Sequence, residues 1–90
     1  MVHVRFTQNL ARHVDCADGE VEARPTVRAC LDAYFEAHPG VRTYVLDDQG
    51  AVRSHVVVFV DGVPIDDRAR QSDAVSPTAE IVVMQALSGG

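Results

Sequence analysis

Lysine and tryptophan are absent from this 90-residue chain, and its eight basic residues are all arginines, spread among thirteen acids for a formal charge of −5. With no basic cluster, the chain is a poor binder of nucleic acid or of an anionic membrane. A basic patch on a protein partner is its natural complement. Long apolar runs are missing too: the longest, Val56 to Val60, falls far short of the ~20 residues of a membrane span. The opening Met1-Val2-His3-Val4-Arg5-Phe6 alternates apolar and polar, which is not a signal-peptide pattern, so the cytosol is the expected compartment.

Cysteine is scarce, with Cys16 and Cys30 only, too few for the four thiolates of an iron–sulfur cluster. In a cytosolic chain a disulfide between them is not expected. Cys30 falls on the apolar face of a predicted helix, as a small buried hydrophobe. Cys16 sits beside Asp15 and Asp18, whose charges raise a thiol pKa. The histidines His3, His13, His38 and His55 are scattered, with no metal-ligand spacing, and read as surface residues. Asp47-Asp48 and Asp66-Asp67 read as solvated turns. No nucleophile–base constellation is recognisable.

What remains is an ordinary globular composition, 47% hydrophobic and 23% charged, in a length that makes one domain. Val2, Val4 and Phe6 point one way and His3, Arg5 and Thr7 the other, the period of a half-buried strand. A connection from Asn9 to Ala17 tucks Leu10 inward. After an Asp18-Gly19 turn, Glu20 to Arg24 alternates again, with Val21 and Ala23 inward, making a hairpin-like pair. Thr26 is a helix N-cap, and Val27, Cys30, Leu31, Tyr34 and Phe35 form one apolar stripe at helical spacing. His38-Pro39-Gly40 ends that helix, with Gly permitting the reversal. Val41 to Asp47 fits either a short strand or one helical turn, followed by a turn at Asp47 to Gly50.

Val56 to Val60 is the most strand-like run, closed by Asp61-Gly62. Val63-Pro64-Ile65 is an edge segment, and Asp66 to Ser76 a polar surface loop. Glu80 to Gln85 is the closing strand. A mixed four- or five-stranded sheet packed on one main helix satisfies this order, an α+β arrangement with the first and last strands as its parallel central pair.

After residues 1–85 come Ala86, Leu87, Ser88, Gly89 and Gly90, read as a flexible tail. An end without Cβ atoms is thin and unhindered, able to pass through a narrow channel in a partner. At ~7% glycine, chance alone produces such a pair roughly once in 200 chains, so accident stays an alternative reading.

The Val4-Phe6 strand, the Thr26-Val27 to Leu31 helix start, the His55 to Gly62 strand and turn, and the Ile81 to Gly90 ending resemble the ubiquitin-like sulfur carriers of β-grasp fold. That family includes the small subunit of molybdopterin synthase and the carriers of thiamine and cysteine synthesis. The Val41 to His55 stretch makes the chain look most like carriers of cysteine or special-metabolite pathways. It departs from the family in having Pro77-Thr78-Ala79-Glu80 before the last strand and Gln85 itself where a neighbouring proline is frequent.

The resemblance implies that a ubiquitin-activating-type enzyme adenylates the Gly90 carboxylate with ATP. Sulfur from a desulfurase- or rhodanese-type donor then replaces AMP, and a biosynthetic enzyme accepts it. The chain has no phosphate-cradling glycine loop and no lysine, so the ATP site is expected on the partner and no cofactor or metal on the chain. Docking is expected through Val57, Phe59, Val82 and Met84 on the sheet face away from the helix, with Leu87 as a further anchor. Two alternatives share these features: a protein modifier joined through Gly90 to a lysine, and a plain β-grasp interaction domain.

Overall fold

The computed structural model describes residues 1–7 and 18–85. The expected connection over 9–17, with Leu10, His13 and Cys16, and the expected tail over 86–90, with Leu87, Gly89 and Gly90, lie outside these residues.

The N-terminal alternation forms β1 (Val2–Phe6), and its Val2 and Val4 are fully buried. Against it runs β2 (Gly19–Val21), antiparallel, with Val21 opposite Val2. The expected strand through Arg24 is cut short for a geometric reason: β1 begins at Val2, so its ladder with β2 ends at the Val2–Val21 pair. Ala23 is accordingly exposed rather than inward.

The helix stripe forms α1 (Val27–Ala37), burying Val27, Cys30, Leu31, Tyr34 and Phe35. The N–H groups of its first three residues have no i−4 partner inside the helix, and each is satisfied from outside or by the cap. Thr26 Oγ1 accepts from Ala29 N at 3.2 Å, and Thr26 O accepts from Cys30 N. The carbonyls of Asp73 and Gln71 accept from Val27 N and Arg28 N at 3.0 and 2.9 Å.

Pro39 and Gly40 do not reverse the chain. Pro39 is the first residue of α2 (Pro39–Val45), a position where the missing N–H costs nothing and the fixed φ already suits a helix. This settles the Val41 to Asp47 ambiguity as helix: Val41 and Val45, one turn apart, are buried, and Tyr44 points outward.

β3 (Val56–Val60) and β4 (Val63–Pro64) form a hairpin whose two turn residues, Asp61 and Gly62, both have positive φ, 50° and 85°. Such a turn matches the strand twist and favours Asp-Gly. The sheet closes with β5 (Glu80–Gln85), parallel to β1 and antiparallel to β3, giving the order β2-β1-β5-β3-β4. Pro64 lies on the edge strand, where its missing donor interrupts no interior ladder. Among the described residues the fold is five strands and two helices, with α1 against one face of the sheet.

The segment from Asp66 to Ser76 is not a simple surface loop. Gln71 is completely buried at φ 54°, and Val75 is buried too. Gln71 Nε2 donates to the carbonyls of Arg68 (2.7 Å) and Gly50 (3.1 Å), and its Oε1 accepts from Arg28 Nη1 at 3.2 Å. One amide thus ties the start of α1 to two loops. Sequence polarity is misleading here because the segment's polar groups are spent on one another and on the helix N-terminus.

Candidate docking face and chain terminus

Strand alternation puts Ile81 and Val83 in the core, fully buried, and turns Val82 and Met84 to the face away from α1. On β3, Val56 and Val58 are buried and Val57 and Phe59 lie on that outer face. The antiparallel register sets Val57 opposite Met84 and Phe59 opposite Val82, so the four expected residues form two adjacent cross-strand pairs. They are half-buried rather than freely exposed.

The outer face is graded along the strands. At one end Glu20, His3 and Glu80 align across β2, β1 and β5. In the next row Arg5, Val82, Phe59 and Pro64 cross four strands. Met84 and Val57 follow, and the ladder ends at the Val56–Gln85 pair. Arg5 bonds Glu80 at 3.3 Å and approaches Asp18 at 3.8 Å, which holds its charge toward the polar end. The face therefore grows more apolar toward the end of β5 that residues 86–90 continue. Thr7 Oγ1 and Gln85 Oε1, both at that same end, are buried without hydrogen-bond partners among the described residues.

A concavity of about 400 Å³, lined by Thr43, Tyr44, Arg53 and His55, opens at this end as well. Arg53 is held there by the C-terminus of α2: its backbone N donates to Val45 O at 3.0 Å and its Nε to Thr43 O at 2.7 Å. Two carbonyls that the helix itself leaves free are satisfied by one residue. Sequence reading found neither this residue nor Tyr44, because nothing in their spacing connects the end of α2 with the start of β3.

Other chemistry-bearing groups have structural surroundings. Cys30 is fully buried, and desolvation raises its thiol pKa; the thiol donates to the Arg24 carbonyl at 3.8 Å. His38 stacks on Tyr34, ring centroids 4.4 Å apart. Asp47 Oδ1 accepts from Gln49 N and Ala51 N at 2.8 and 3.1 Å and so builds its own turn. Asp67 is held below the usual carboxylate pKa by the Ser72 hydroxyl and the Arg70 amide, and Asp73 by the amides of Asp66 and Asp67. These acids are loop-builders rather than merely solvated. Among the described residues no cluster of His, Cys, Asp and Glu is arranged to hold a metal ion, and no helix is long and apolar enough to cross a membrane.

Among solved structures, the chain resembles SAMP1 from Haloferax volcanii, with a TM-score of 0.76 and 24% identity over 99% of this chain and 98% of that one. A structure of H. volcanii small archaeal modifier protein 1 gives a TM-score of 0.69 at 22% identity, covering 96% and 97%. A chain of the Amycolatopsis orientalis BexX/CysO complex gives 0.81 at 18% identity, covering 100% of both. At these identities the likeness is one of fold, and the fold is the expected ubiquitin-like β-grasp. No protein-family model and no curated protein sequence matches the chain.

Proposed function

We propose that this chain is a sulfur carrier, a substrate of partner enzymes rather than a catalyst, which works in the cytosol and carries sulfur on the carboxylate of Gly90. The observation that carries the reading is the grading of the outer face. Past the charged row at Glu80, the apolar Phe59–Val82 pair and then the Val57–Met84 pair lead toward the end of β5, after which the sequence runs on through Leu87 to Gly89-Gly90. An apolar patch beside a chain end free of Cβ atoms is what a partner needs in order to grip the domain and thread the terminus. The structural likeness to a chain of the BexX/CysO complex supports a β-grasp domain that works assembled with a second protein.

The chemistry follows from the carboxylate. It is a poor electrophile at neutral pH, so a ubiquitin-activating-type enzyme first joins the Gly90 carboxylate oxygen to the α-phosphorus of ATP, releasing pyrophosphate. The outer sulfur of a persulfide on a desulfurase- or rhodanese-type donor then attacks the acyl carbon and displaces AMP, giving an acyl disulfide. A second thiol attacks the donor sulfur, forms a disulfide with it and releases the thiocarboxylate, whose sulfur passes to a biosynthetic enzyme. Cysteine-type or special-metabolite pathways are favoured over molybdopterin synthesis. Nothing in this requires the chain to bind ATP, nucleic acid or a membrane. The test is ATP–pyrophosphate exchange by such an enzyme: the full chain supports exchange, and deletion of Gly90 abolishes it with the fold intact.

The likeness to small archaeal modifier protein 1 favours a second reading. In it the same activated carbonyl is taken by a lysine amine of another protein, forming an isopeptide. Covalent ladders on denaturing gels mark that outcome.

A further inference from the structure

We propose that Arg53, Tyr44 and His55 form a second docking point, which receives a carboxylate on the rim of the partner's terminus-binding channel. This rests on the reading that a partner takes the chain end. The argument begins with position. Gln85 pairs with Val56, so His55 stands one residue from the place where the chain leaves β5. Residues 86–90 reach at most about 18 Å when extended, whereas one side of a standard protein interface covers about 800 Å². A partner that threads this terminus therefore rests on the surface around its exit, where the concavity lies.

Charge is the second element. The chain is acidic overall, and Arg5, Arg28 and Arg42 are engaged in ion pairs while Arg68 donates to the carbonyls of Arg53 and Val56. Arg53 forms no ion pair among the described residues. Its Nε is fixed on the helix carbonyl and its backbone is held on both sides, at Val45 O and by Arg68 Nη2 at 2.7 Å. The two terminal nitrogens of a guanidinium held by its Nε remain to grip a carboxylate.

Beside it Tyr44 is 40% exposed, one of the few large apolar side chains so placed among the described residues. Tyr and Arg on rigid backbone are the residue types that dominate interface energies. The acids nearest Arg53 bound the fit: Asp47 and Asp48 line the adjoining hollow with it, so an acidic partner group is welcomed on the Tyr44–His55 side and repelled on the other. That asymmetry fixes orientation, which a flat apolar patch alone does not.

The probe is a capped tetraglutamate peptide, titrated into the full 90-residue chain and followed by NMR, with capped tetralysine and inorganic phosphate as separate arms. Shifts are expected at Thr43, Tyr44, Arg53 and His55, weakening as salt rises. Arg53→Gln and His55→Gln reduce them, the latter without touching the helix clamp, and Arg70→Gln leaves them unchanged. Shifts spread over all arginines, their absence at these four residues, or equal affinity for phosphate overturns the proposal. With an activating enzyme in hand, Arg53→Gln raises KM for the chain about three- to tenfold at constant kcat. A wild-type chain that supports no exchange removes the sulfur-carrier reading instead, and the peptide titration still decides this one.

Discussion

Val57 of β3 and Met84 of β5 face each other across the antiparallel ladder, one pair short of the end of the sheet and on the side away from α1. The Phe59–Val82 pair lies one row further in on the same face, so the apolar part of that face leads up to the end of β5.

Phe59→Arg puts a charge in the middle of that patch. The expected result is a fall of about tenfold or more in kcat/KM for charging by an activating enzyme, with far-UV circular dichroism unchanged. Unchanged kinetics would show that the partner docks elsewhere.

Gln71 tests the polar hub. Gln71→Leu leaves the carbonyls of Gly50 and Arg68 and one Arg28 nitrogen without that partner. The expected loss in urea unfolding is about 1–3 kcal/mol; a loss below about 0.5 kcal/mol contradicts the account. Gly50 belongs to the same region: at φ 82°, with Arg28 Nη1 only 3.1 Å from where a Cβ would sit, Gly50→Ala also destabilises, by about 1–2 kcal/mol.

Phe35 closes the α1 stripe at its C-terminal end and is nearly fully buried. Phe35→Ala removes most of a large side chain from a packed core and is expected to cost about 3–5 kcal/mol in chemical denaturation. A cost near that of a surface substitution would mean the core closes differently.

The loop from Asp66 to Asp73 gives a pH prediction. Asp67 and Asp73 have folded pKa values lowered by the Ser72 hydroxyl and by backbone amides. Their stabilising effect is therefore complete above the ordinary carboxylate value of about 3.9 and is lost as pH falls through the lower folded values. Carboxyl carbon NMR should show both midpoints below about 3.9, with the Asp66 and Asp67 amides exchanging faster beneath them. Midpoints at or above the ordinary value contradict the hydrogen-bonded loop.

Regular alternation and helical spacing make β1, β3, β5 and the five buried residues of α1 legible from short-range pattern, and element order with the crossover rule adds the parallel pairing of the first and last strands. The misses share a cause. Gly40 and Pro39 carry opposite helix signals, and only the packing of Val41 and Val45 makes Pro39 a start rather than a stop. Ala23 fails to turn inward because β1 is too short, a fact held by another strand. Gln71 is buried because Arg28 and Gly50, far away in sequence, supply its partners. The face taken by Val57, Phe59, Val82 and Met84 was readable because alternation assigns it, but their cross-strand pairing was not; likewise the Tyr44–Arg53–His55 concavity joins two elements whose approach no local pattern encodes.

The central claim concerns the carboxylate of Gly90, and intact-mass spectrometry after incubation with ATP, an activating enzyme and a sulfur donor tests it most directly. The account predicts a product about 16 Da heavier, sulfur for oxygen, localised to the C-terminal peptide and absent when Gly90 is deleted. An unchanged mass with a competent enzyme, or the same gain in the shortened chain, contradicts it.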